Sequence, residues 1–201
     1  MDRAAAARRG KRLEYFTIAW NVLEGALAVV VGAMAGSIAL VCFGIDSFIE
    51  VISAVALLWR MSVEADELRR ERNEQIALRI VGLCFIGLAI YVLADSVKTL
   101  VRHEVPGHSI LGIAVAIASL AVMPLLARAK RRVAAGLDSA AMQADSRQAD
   151  FCTYLSAILL AGLILNRFFG WRWADPAAAV FMLPFIVKEG VEGLRGDKCG
   201  S

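Results

Sequence analysis

The sequence predicts an all-α membrane protein of six transmembrane helices with its N- and C-termini in the cytoplasm. Three observations carry this. The chain of 201 residues is 59% hydrophobic, with a mean hydropathy of +0.62, whereas soluble domains are about half apolar. Six stretches are long enough, at about 20 residues of helix, to cross a bilayer core. Of the 22 Lys and Arg, only Lys98, Arg102, Arg167 and Arg172 fall on one side of those stretches; the basic-rich side faces the cytoplasm. The division that follows is a basic cytoplasmic tail over 1–12, a six-helix transmembrane domain over 13–196 and a short cytoplasmic tail over 197–201. Residues 1–12 are not read as a secretory signal, because no small-residue cleavage site follows them. The net charge of +3 follows from topology and calls for no nucleic-acid partner.

The first span, 13–35, carries a small-residue stripe of Gly25, Ala28, Gly32 and Gly36. It predicts close helix packing, within the chain or across a dimer seam. Asn21 and Glu24 share one face of this span and read as accessory or proton-handling residues. The second span, 37–59, is SIALVCFGIDSFIEVISAVALLW, following Gly36, with Cys42, Asp46 and Glu50 recurring every four residues. Asp46 lies about 14 Å and Glu50 about 20 Å from the outer end, at 1.5 Å per residue. The third span, 76–97, follows the charge-alternating stretch MSVEADELRRERNEQ, which reads as a solvated helix extension. Asp95 falls near its outer end and lines an exit at most. The fourth span, 110–127, is set off by the Pro106-Gly107 turn.

The fifth span, 144–168, is the weakest by hydropathy. Its apolar part, 151–165, is too short to cross alone, so ADSRQAD belongs to the same helix. Asp145, Gln148 and Cys152 follow one stripe at spacings of three and four. Asp150 is five residues from Asp145, about 140° around the helix, and faces elsewhere. The sixth span, 176–194, follows Gly170, and Lys188 with Glu192 predicts an interfacial ion pair.

An acid inside a spanning helix is costly and marks a functional site by default. Two acids at i and i+4 present their oxygens to one cation. The bland alternative is a structural pair with a buried cation. The basic groups read as lying in span interiors are Arg79 and Lys188, both nearer the cytoplasmic ends. Cys152, about 24 Å from the outer surface, matches Glu50 in depth. It reads equally as a small buried hydrophobe, and Gln148 as an interhelical hydrogen-bonding residue. His103 and His108 sit with Glu104 in the outer loop, and no histidine falls in a span. Cys42, Cys84, Cys152 and Cys199 suggest no disulfide framework but free thiols facing a reducing compartment. There is no paired nucleophile and base and no phosphate-binding loop, so the chain does not read as an enzyme.

The string GSIALVCFGIDSFIEVISAVALLWR resembles the cation diffusion facilitator family, whose members carry two acids four apart at this point. The run from ADSRQADFCTYLSAILL through FFGWRWADPAAAVFML resembles the end of that family's fifth helix, its GW-x-x-ADP turn and its sixth helix. The resemblance covers roughly residues 15–196. It implies export of a divalent transition metal by alternating access, with Zn²⁺ as substrate (or Cd²⁺, or another such metal) and H⁺ as the coupling ion. It implies a homodimer in a bacterial inner membrane, with lipid and the metal cation as the other partners. Carried over by position, the tetrahedral intramembrane site takes Asp46, Glu50, Gln148 and Cys152, the last two where histidine and aspartate are usual. Alignment on Asp150 would instead put Ser146 and Asp150 there. Accessory or proton-pathway positions are Asp145, Glu24, Asn21, Asp150 and Cys42. A thiolate favours Zn²⁺ or Cd²⁺ over Mg²⁺ or Ca²⁺. Typical members continue into a cytoplasmic ferredoxin-like domain. The tail GDKCGS looks like the truncated branch, similar to vesicular transmembrane zinc-binding proteins, with Cys199 a thin candidate ligand. An alternative reading is a membrane-embedded metal-binding or sensing protein that does not transport. A third, an intramembrane hydrolase, is disfavoured by the lack of histidine in the spans.

Overall fold

Long apolar segments in lipid must satisfy their own backbone hydrogen bonds, and a helix does so within one segment. Among the described residues six helices form: α1 Arg3–Ala35, α2 Ile38–Ser62, α3 Glu67–Arg102, α4 Ile110–Leu137, α5 Ala140–Phe169 and α6 Ala174–Arg195. The computed structural model describes residues 3–62, 67–102, 107, 109–137, 140–171 and 173–195. His103, Glu104, His108 and Cys199 lie outside that range.

All helices but α6 are long and apolar enough to cross a membrane, and the chain is a multi-pass, all-α membrane protein. Among those five, α5 has the lowest hydropathy, as its polar first turns require. The helix that falls short is α6. Asp175 opens it and Lys188, Glu189 and Glu192 crowd its far end, leaving only 176–187 uncharged. Several helices also outrun their apolar cores. Residues 3–12 continue α1 rather than forming a separate tail, and α4 runs on to Leu137, well past residue 127. The predicted Lys188–Glu192 pair forms at 3.8 Å on an exposed face.

The helices arrange as a ring of four with a pair alongside. Within the ring α1 packs on α2 and α4, and α5 packs on α4 and α2; α3 and α6 pair closely and lean on α2 and α5. Glycines set the tight crossings. A Cβ on Gly44 would meet the Val29 backbone nitrogen at 2.8 Å, and one on Gly32 the Val41 nitrogen at 2.9 Å. Gly25, Ala28 and Gly32 of the α1 stripe therefore pack inward on α2. Gly82 approaches the Leu194 backbone in the same way, holding α3 to α6. Small residues permit such contact where no hydrophobic force drives helices together in lipid.

Turn chemistry fixes helix ends relative to one another. Gly36 adopts φ 63° and Gly170 φ 64°, a region glycine enters without a Cβ clash. Ser37 Oγ accepts from Leu40 N at 3.2 Å as a conventional N-cap of α2. A second cap arrives from another helix: Asp175, in the first turn of α6, accepts from Ser37 Oγ at 2.5 Å and from Ile38 N at 2.8 Å. The start of α6 is thereby tied to the start of α2. Gly107 N donates to Ala35 O at 2.6 Å, satisfying a carbonyl at the end of α1.

The outer faces are apolar. Leu23, Leu27, Val30 and Met34 of α1 and Leu83, Ile90, Leu93 and Val97 of α3 are exposed, as lipid-facing side chains must be. Asn21, Glu24, Asp46 and Glu50 are instead buried.

Candidate metal site

Four helices contribute polar groups to the ring interior. From α1 come Asn21 and Glu24, and from α2 come Cys42, Asp46 and Glu50; all are buried. From α4 comes Ser119 and from α5 come Cys152 and Ser156, also buried. Ser156 Oγ lies 2.9 Å from Ser119 Oγ and 2.7 Å from Cys152 O, joining α5 to α4. Trp20 Nε1 donates to Glu24 Oε2 at 3.1 Å. Hydroxyls not used across the ring return to their own helices, as Ser47 Oγ does to Phe43 O. This satisfies a buried donor at no cost to its neighbours.

Not every buried group finds a partner. Both carboxylate oxygens of Glu50 are buried with no hydrogen-bond partner among the described residues, and so are both polar atoms of the Asn21 amide. Asn21 and Cys152 face Glu50, while Lys130 and Asp145 act on it electrostatically from the neighbouring layer, and Cys152 is faced in turn by Glu50, Asp46 and Glu24. Buried polar groups are almost always paired, and a carboxylate left unpaired in a dry interior costs several kcal/mol unless a proton or cation joins it. The groups approach without converging. Among the described residues no three His, Cys, Asp or Glu side chains lie close enough together to hold one metal ion.

The other predicted positions separate. Asp145, Ala149, Cys152 and Ser156 form the inward line of α5, all buried. Gln148 is only half-buried, beside that line. Asp150 sits on the flank of α5 and forms an ion pair with Arg131 of α4, both partly exposed. Ser146 is buried, with its hydroxyl on Gln143 O at 2.7 Å. Cys42 is buried one turn outward of Asp46.

One expectation is overturned. Lys130, counted with the cytoplasmic basic residues, is fully buried and bridges Glu14 Oε2 at 3.3 Å and Asp145 Oδ2 at 2.5 Å. A buried cation therefore does exist, but its partners are Glu14 and Asp145 and not the Asp46–Glu50 pair. Lys188, by contrast, is exposed. Sequence reading also passed over Glu14, Ser119 and Ser156. Glu14 was detectable as the residue two turns before Asn21 on the same face of α1. The two serines carry no such signal in an apolar run.

Residues 15–196 match the model of the cation efflux transmembrane domain. The chain is 25% identical over 178 residues to an uncharacterized transporter of Methanocaldococcus jannaschii, covering 86% of this chain and 62% of that protein. It is 27% identical over 156 residues to an uncharacterized transporter of Synechocystis sp., covering 74% and 50%. It is 25% identical over 144 residues to the cation-efflux pump FieF of Shewanella oneidensis, covering 70% and 48%. The chain thus spans about half to three fifths of the length of these curated relatives.

Proposed function

The chain belongs to the cation efflux family, and on that premise we propose that it exports a divalent transition metal, Zn²⁺ first among them, in exchange for protons. The observation that carries this is Glu50: a buried carboxylate with both oxygens unpartnered, one helical turn from the buried Asp46 and opposite Cys152. With no metal bound, protons keep such acids neutral. A dication favours their charged forms and displaces the protons. Protons arriving from the other side reverse the exchange and release the metal. Bound metal also offsets the buried charge while the helices reorient.

Asp46 and Glu50 are the proposed carboxylate ligands. Cys152 supplies a soft donor that favours Zn²⁺ or Cd²⁺, and Gln148 would join after a small rotation of α5. Closing four ligands on one ion requires α5 to shift against α2, and that seam is the sparsest of the ring's four. The more tightly packed α1–α2 and α4–α5 pairs are suited to move as units. Glu24, Asn21, Asp145 and Cys42 line the interior on either side as a proton or metal path. Asp150, paired with Arg131, has no part in it. The setting is a bacterial inner membrane with both termini cytoplasmic and the chain acting as a homodimer. The family consists of transporters, and no enzymatic role is proposed.

The test is flux. Asp46→Ala and Glu50→Ala proteins should insert normally and lose Zn²⁺ transport into proteoliposomes driven by a pH gradient; wild-type flux in both would remove the site. The rival reading, a metal-binding or sensing protein, draws on the lack of a formed three-ligand cluster among the described residues. Zn²⁺ binding without flux in the unaltered protein would favour it.

A further inference from the structure

Toward the basic-rich end of the ring lies a second polar layer, of which the path above takes in only Asp145. Glu14 precedes Asn21 on α1, and Asp145 precedes Cys152 on α5, each by seven residues. Both acids therefore point inward, about 10 Å nearer that end. Lys130 of α4 reaches between them with its side chain wholly buried. One ammonium faces two carboxylates, so the layer holds more acceptors than its own cation can use. Glu14 Oε1 and Asp145 Oδ1 are both buried without a hydrogen-bond partner among the described residues. Glu50 is the next acid within electrostatic reach of Lys130, which puts this layer and the transport site on one line.

We infer that Glu14 and Asp145 form an access site for a divalent cation at the basic-rich mouth of the ring, and that Lys130 Nζ holds the cation position when no metal is there. The inference rests on the transport reading above. A dication carries the two charges that match two carboxylates, where an ammonium supplies one. The lysine stem is flexible, so Nζ can swing aside without moving α4. The three groups belong to α1, α4 and α5, so the same substitution of metal for ammonium loosens the contacts that close the mouth. Once the metal moves on to Glu50, Lys130 returns and closes it.

The test counts zinc. Purified full-length protein, titrated calorimetrically with Zn²⁺, should bind one more ion per chain as Lys130→Met than unaltered, and Lys130→Met/Glu14→Gln should lose it again. The extra ion should persist in an Asp46→Ala background, which separates it from the transport site. Equal zinc counts for folded Lys130→Met and unaltered protein overturn the inference. Should Lys130→Met fail to insert, Glu14→Gln, which leaves a one-to-one Lys130–Asp145 pair, is read instead. Its KM for Zn²⁺ uptake should rise about tenfold, and an unchanged KM overturns the inference. Absent uptake by the unaltered protein would sink the transport reading, whereas the zinc count would still decide this one.

Discussion

Asp145 and Glu50 are carboxylates buried in the same ring of helices, one layer apart. Neither acid has a hydrogen bond to its carboxylate oxygens among the described residues, but Asp145 has an ammonium at 2.5 Å and Glu50 has none at ion-pair distance. The two layers answer the same physical problem differently. Near the basic-rich end the protein brings its own cation, and α1, α4 and α5 are tied together there. At mid-membrane it brings acids and no base, so their charge must be met from outside by a proton or a metal. A group whose partner is built in stabilises the fold; a group whose partner is absent is free to bind one.

The sharpest way to break this comparison is to remove the charge from each layer. Lys130→Met leaves two buried acids without their cation and should destabilise by about 3–5 kcal/mol. Glu50→Gln removes an acid with no partner and should leave stability unchanged or raise it, since a buried carboxyl without a partner is costly whether it is charged or held neutral by a proton. Thermal unfolding in detergent, followed by loss of helical signal, reads both; equal losses would erase the distinction between the layers.

A smaller effect sharpens the chemistry of the mid-membrane layer. Cys152→Ser should weaken Zn²⁺ and Cd²⁺ binding about tenfold and Mn²⁺ binding less, following ligand softness. Equal effects on all three metals would argue that the thiol only packs. The smallest expected effect lies away from both layers. Asp175→Ala removes the acceptor that α6 lends to the start of α2 and should cost about 1 kcal/mol, the usual loss for a helix cap. A chemical-denaturation midpoint measures it, and no change would mean that Ser37 caps α2 unaided.

Much of the candidate site was legible because its signals are local. Asp46 and Glu50 show themselves by four-residue spacing in a run that is otherwise apolar, and Asn21 and Glu24 by a shared face. Gln148 was harder. It differs from Ala149 by about 100° around the helix, and a segment as polar as ADSRQAD has no apolar stripe from which to set its phase. Contacts with α2 and α4 turn Ala149 inward and leave Gln148 at the side. Lys130 was misread for a related reason. Charges after residue 127 resemble a bilayer exit, yet α4 continues to Leu137 and carries Lys130 to a place where two acids await it.

The sequence by itself determined what each stretch must do alone in lipid: become a helix, bury its few acids and keep its glycines for close approach. These follow from hydrogen bonding and transfer energies, which act on neighbours along the chain. Only the tertiary structure decided which buried charge meets which. Glu14 lies 116 residues from Lys130, and Asp175 caps a helix that begins 137 residues before it. Partnership of that kind depends on the rotation and depth of whole helices, which no local pattern records.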